Sequence, residues 1–136
     1  SFVKLPTNPV LTEYDLLALP LSLAELEYFR DPTNFWVNPD NTSEWLVAFV
    51  ASAYDDFYVP VSKVFVFATS DPNLAADFRY SHVLWQDTLD LSNELEHPDF
   101  FKLGDDYYLK VSTMLSGQDY WVYGNYTKNG DDKTIF

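Results

Sequence analysis

Phe29-Arg30-Asp31-Pro32-Thr33-Asn34-Phe35-Trp36-Val37 is followed, 66 residues on, by Leu95-Glu96-His97-Pro98-Asp99-Phe100-Phe101-Lys102-Leu103. Each stretch sets charge and Pro just ahead of an apolar segment, then a turn, then an aromatic-rich segment. Pro32 and Pro98 keep the 66-residue interval, and so do Phe35 and Phe101. Self-similarity on this scale, in segments rich in Val, Phe, Tyr and Trp, reads as repeated antiparallel units. The expected fold class is all-β.

Working outward, the first unit predicts strands at Thr33–Val37, Glu44–Ser52, Ser62–Thr69 and Tyr80–Trp85. Turns fall at Asn38-Pro39-Asp40-Asn41 and from Ser70-Asp71-Pro72-Asn73. The second unit predicts strands at Pro98–Leu103, Tyr107–Thr113 and Tyr120–Tyr126. Gly104-Asp105-Asp106 and Ser116-Gly117-Gln118 link them. Asn129-Gly130-Asp131-Asp132 is a further turn, after which a fourth strand would start. Residues 1–28 read as an irregular lead-in broken by Pro6, Pro9 and Pro20, with a helical turn over Leu21–Leu26. Four-stranded units of this kind suggest blades of a β-propeller, with residues 29–94 as one blade and 95–136 as most of the next. A single antiparallel sandwich of seven or eight strands is the competing architecture.

The chain has 136 residues and a net charge of −13. That charge repels nucleic-acid phosphates and anionic membrane surfaces, so neither is an expected partner. Aromatic residues make up 18%, which excludes a disordered chain. No apolar run approaches the ~20 residues of a membrane span. Ser1–Val10 contains Lys4, Pro6 and Pro9 and lacks the apolar core of a signal peptide. There is no Cys, hence no disulfide and no thiolate nucleophile or ligand. His82 and His97 lie in separate units without a ligand spacing, so no metal site and no cofactor are expected. Two sequons, Asn41-Thr42-Ser43 and Asn125-Tyr126-Thr127, favour secretion.

In a propeller the first strand of each blade lines the central channel, and Asp31 and Glu96 stand where such strands begin. Two carboxylates at the mouth of one funnel are what glycoside hydrolysis needs. One donates a proton to the leaving oxygen, and the other stays ionised to attack or to stabilise positive charge.

In Phe29-Arg30-Asp31-Pro32-Thr33 and Glu96-His97-Pro98-Asp99-Phe100 the chain resembles glycoside hydrolase family 32, the β-fructofuranosidases that include invertases and inulinases. The first segment is similar to the family's Arg-Asp-Pro motif and the second to its Glu-Cys-Pro motif with the following Asp. Val3 with Asn8-Pro9-Val10, Tyr108-Leu109-Lys110-Val111-Ser112 and Tyr120–Tyr126 with Gly124 look like flanking family segments. The resemblance implies a five-bladed β-propeller that hydrolyses sucrose or fructans with retention. It implies Glu96 as general acid/base, Asp31 as transition-state stabiliser through the fructosyl hydroxyls, and Arg30 beside it in substrate binding. Family habit implies an extracellular, cell-wall or vacuolar location.

Two features depart from the family pattern. Its nucleophile is an Asp in a Trp-Met-Asn-Asp-Pro-Asn-Gly segment, and this chain has none; Asp71-Pro72-Asn73 mimics part of it but reads as a turn. The isolated chain is therefore expected to be inactive. His97 replaces the usual Cys, either to tune the proton affinity of Glu96 or, the preferred expectation, to fill space. The four Trp and the many Tyr read mostly as packing between blades, and none is singled out as a sugar platform. A non-catalytic sugar-binding homologue and a fructosyltransferase are the competing functions. At about 65 residues per blade the chain reads as roughly two fifths of a domain, because repeats need neighbours to bury their faces.

Overall fold

A computed structural model describes residues 9, 11–12, 25–54, 60–87, 95–114, 116–129 and 132–135. Among them the structure is all-β, and no helix is long and apolar enough to cross a membrane. The ten strands are β1 (Glu25–Arg30), β2 (Trp36–Val37), β3 (Trp45–Tyr54), β4 (Pro60–Thr69), β5 (Arg79–Gln86), β6 (Leu95–Leu103), β7 (Asp106–Thr113), β8 (Asp119–Gly124), β9 (Tyr126–Asn129) and β10 (Asp132–Ile135).

They form three antiparallel sheets. The first runs β1-β3-β4-β5, with β2 also on β3; the second runs β6-β7-β8; β9 and β10 form a hairpin. The long strands follow the sequence pattern. Val, Phe and Ala alternate through β3 and β4, and the two pair in register from Trp45↔Thr69 to Tyr54↔Pro60. With a side-chain period of two, that register gives the sheet two apolar faces. Leu46, Ala48, Val50, Val64, Val66, Ala68 and Leu84 form one face. They pack against Leu95, Phe100, Leu109 and Val111 of the second sheet. Val47, Ala51, Phe65 and Phe67 form the other, beneath Phe29, Phe35, Phe49, Phe78 and Tyr80. Phe67 contacts Phe29, Phe49 and Tyr80 at centroid distances of 5.9–6.2 Å.

Four expectations need correction. The strand that opens the first sheet is Glu25–Arg30, not Thr33–Val37, of which only Trp36–Val37 is strand. The lead-in is thus not irregular throughout. Glu25 and Leu26 belong to this strand rather than to a helical turn; Leu21–Ala24 lie outside the described residues. β6 starts at Leu95 rather than Pro98, so Glu96 and His97 lie inside the strand. The segment Tyr120–Tyr126 divides at Asn125, and Tyr126 turns back toward the first sheet. There its hydroxyl meets His82 Nε2 at 2.8 Å. Burial pushes the Tyr126 phenol well up, helped by the nearby Asp40 and Tyr107.

β1 and β6 share a local design. Asp31 and His97 are both left-handed, with φ of 56° and 46°, and each precedes a proline. Such a backbone is unusual for a residue with a Cβ, and the following proline restricts it further. In β6 the pairing passes from Glu96↔Ser112 to Asp99↔Lys110, so His97 and Pro98 together oppose Val111 in a bulge. Pro98 has no N–H to give a ladder, and a bulge is where a strand tolerates that. After β1 the chain is tied to β3 by Thr33, whose N–H donates to Ala48 O at 2.9 Å. Thr33 Oγ1 in turn accepts from Ala48 N at 3.0 Å.

Candidate functional site

The Arg-Asp-Pro and Glu-His-Pro segments meet. Arg30 ends β1, Asp31 follows it, and Glu96 pairs with Ser112 just ahead of the β6 bulge that holds His97. The two sheets pack so that equivalent positions of the repeat face each other. His97 N–H donates to Asp31 Oδ2 at 3.1 Å, and His97 Nδ1 lies 3.6 Å from the same oxygen. Arg30 Nη2 lies 3.1 Å from Glu96 Oε1, and its Nε lies 3.9 Å from Asp31 Oδ2.

Arg30 is held on several sides. Its guanidinium stacks over the Tyr28 ring, 4.2 Å from the centroid. Its Nη2 also contacts Met114 Sδ at 2.9 Å. Tyr28 is two residues before Arg30 on the same strand, and its hydroxyl donates to Leu95 O at 3.0 Å. That bond anchors β1 to the start of β6, one residue before Glu96. Burial pushes the Tyr28 phenol up from its ordinary value, while hydrogen bonds to Ser62 and Ser52 pull the other way.

The side chains of Asp31 and Glu96 are 26% and 23% exposed, partly sheltered but open to a ligand. One donor atom each from Asp31, Glu96 and His97 falls within 4.8 Å of the others. That spacing is within reach of one cation, but Arg30 already places a positive charge against both carboxylates.

Asp31, Pro32, His97, Pro98, Asp99, Lys110 and Trp121 line an open depression of about 620 Å³. On the other side of Pro32 is an apolar pocket of about 300 Å³ that includes Phe35, Phe49 and Phe78. Asp99, Lys110 and Trp121 stand opposite one another in register across β6, β7 and β8. Lys110 Nζ donates to Ser112 Oγ at 2.8 Å and to Asp119 Oδ1 at 3.0 Å. Hydrogen bonding from Ser112 and pairing with Lys110 hold the Asp119 carboxyl below its usual range.

All three expected site residues, Arg30, Asp31 and Glu96, come together. His97 does not fill space: its side chain is 68% exposed, and its backbone serves Asp31. Lys110 and Trp121 were not singled out from sequence, because only strand register brings them beside Asp99. The segment Asp71-Pro72-Asn73 is a turn, as expected. Asp71 accepts from Asn73 N at 2.9 Å and from Ala75 N at 3.0 Å.

No protein-family model and no curated protein matches the chain.

Proposed function

We propose that this chain carries the acid/base and stabilising carboxylates of a glycoside hydrolase acting on β-fructosyl bonds of sucrose or fructans. The reading places it with glycoside hydrolase family 32 and makes its two larger sheets neighbouring blades of a propeller. One observation carries it. Asp31 and Glu96 come from two motifs a repeat apart, their carboxylate oxygens lie within 4.8 Å of each other, and Asp31 lines an open depression.

The residues divide the work by their surroundings. Glu96 stands just ahead of the bulge and gives its proton to the leaving oxygen, then takes one from water in the second displacement. Asp31 is pinned through one oxygen by His97 N–H. A carboxylate fixed in this way suits hydrogen bonding to fructosyl hydroxyls and stabilising an oxocarbenium-like charge, because its position is set before the reaction. The nucleophilic carboxylate belongs to a Trp-Met-Asn-Asp-Pro-Asn-Gly segment that this sequence lacks, so the chain alone binds but does not turn over. Arg30 orients Glu96 and contacts substrate.

The ion pair between Arg30 and Glu96 also supports a second reading, a sugar-binding chain in which these groups only hydrogen-bond hydroxyls. Glu96→Gln in the full-length protein separates the two. The hydrolase reading expects sucrose or fructan hydrolysis to fall about 10²–10⁴-fold with sugar binding retained. Near-wild-type hydrolysis would overturn it.

A further inference from the structure

We propose that Trp121 is the stacking platform for the sugar on the leaving-group side of the scissile bond, with Asp99 and Lys110 bonding that sugar's hydroxyls. The proposal rests on the fructoside reading above and assigns a second sugar position to the same depression.

The surroundings of the four Trp residues distinguish them. Trp85 is buried, at 3% exposure. Trp36 packs edge-on against Phe100 at a centroid distance of 4.8 Å. Trp45 opens β3 and is not part of the depression. Trp121 is 57% exposed and shares the wall of the depression with Asp31 and His97. Its ring is steadied at 6.2 Å from Phe101, with planes at 80°, and Phe101 stacks on Tyr108. A large exposed ring held at its edge costs little entropy to use and offers an apolar surface for the C–H face of a sugar.

Distance and polarity fit a second sugar rather than the first. Neighbouring strands lie about 4.8 Å apart, so Trp121 on β8 stands ~10 Å from the β6 backbone that carries Glu96. Between them lie Asp99 and Lys110. Lys110 has three donor positions; among the described residues Ser112 and Asp119 take two, leaving one for a hydroxyl. Asp99 is exposed and offers acceptors. An aromatic surface beside one donor and a carboxylate is the lining expected for a neutral polyhydroxylated ligand.

The test titrates the 136-residue chain with fructose and separately with sucrose, following the Trp indole N–H signals by NMR. Trp121→Phe, with the near-ultraviolet circular dichroism of the wild type as a check on folding, stands beside Trp121→Ala. Sucrose should shift the Trp121 indole signal, and fructose should shift backbone signals near Asp31 and His97 without moving it. Trp121→Ala should weaken sucrose binding roughly tenfold and leave fructose affinity unchanged, and Trp121→Phe should restore most of the loss. Sucrose binding that leaves Trp121 unshifted, or that survives Trp121→Ala intact, overturns the platform alone. If neither sugar shifts any residue of the depression, both the platform and the fructoside reading fall.

Discussion

The backbone N–H of His97 donates to Asp31 Oδ2 at 3.1 Å, joining two residues 66 apart that occupy the same place in their own strand openings. Each is left-handed and each precedes a proline. Residues in such conformations cost on the order of 1–3 kcal/mol each, and they persist where the surroundings fix them. Here the bulge at His97 turns its N–H toward the neighbouring sheet, and Asp31 is the acceptor. The strained backbone and the bonded carboxylate form one device. Asp31→Ala should therefore destabilise the fold by about 1–2 kcal/mol, while Asp31→Asn, which keeps an acceptor oxygen, should cost less. His97→Gly should retain or raise stability because glycine accepts the left-handed backbone. His97→Val should lower it. Urea denaturation of the four variants checks the order.

Thr33 sets the direction of the chain after Asp31-Pro32. It is nearly buried, at 8% exposure. Its hydroxyl is the acceptor for the buried Ala48 N–H. Thr33→Val keeps the shape but leaves that N–H unpaired, at a cost of about 1–3 kcal/mol. Thr33→Ser keeps the bond and should cost less. Thermal melts of the pair test this. A Thr33→Val protein as stable as wild type would show that the bond does not hold the Asp31 segment in place.

Glu44 gives a pH signature away from the depression. Burial pushes its carboxyl up, but hydrogen bonds from Asn38 and Arg79 and the charge of Arg79 outweigh this, and the net position is below the ordinary 4.5. Asn38 Nδ2 donates to Glu44 Oε2 at 3.0 Å, and the Arg79 guanidinium pairs with Oε1. A carboxyl depressed by folding stabilises the native state above its unfolded pKa, and that contribution is lost as pH falls through the folded value. Wild type should therefore be more stable than Glu44→Gln at pH 7. The gap should close as pH falls from about 4.5 downward. Melting temperatures of both proteins across that range would show it.

Much of the fold was legible because β3, β4, β5 and β7 carry alternating apolar residues between turn signals. β1 was not. Its Glu25 and Glu27 interrupt the apolar pattern, and Pro20 and the Pro-rich stretch before it suggest an irregular segment. The start of β6 was hidden by Pro98, which ordinarily stands outside a strand and here sits in a bulge. That Arg30, Asp31 and Glu96 would lie together was legible because they belong to two short motifs a repeat apart. Asp99, Lys110 and Trp121 carry no local signal, since they become neighbours only through the register of three strands. His97 was misread for a related reason. A residue before proline is expected to be extended, and only the packed sheets hold it left-handed.

Glu96 is proposed to protonate a leaving oxygen. This role is tested most directly by leaving-group dependence in the full-length protein carrying Glu96→Ala. Sucrose needs a proton on its departing glucose, whereas a nitrophenyl β-fructoside leaves without one. Sucrose turnover should fall about 10²–10⁴-fold, while a burst of nitrophenolate is released at close to the wild-type rate before slow turnover. An equal loss on both substrates, or sucrose turnover near wild type, would contradict it.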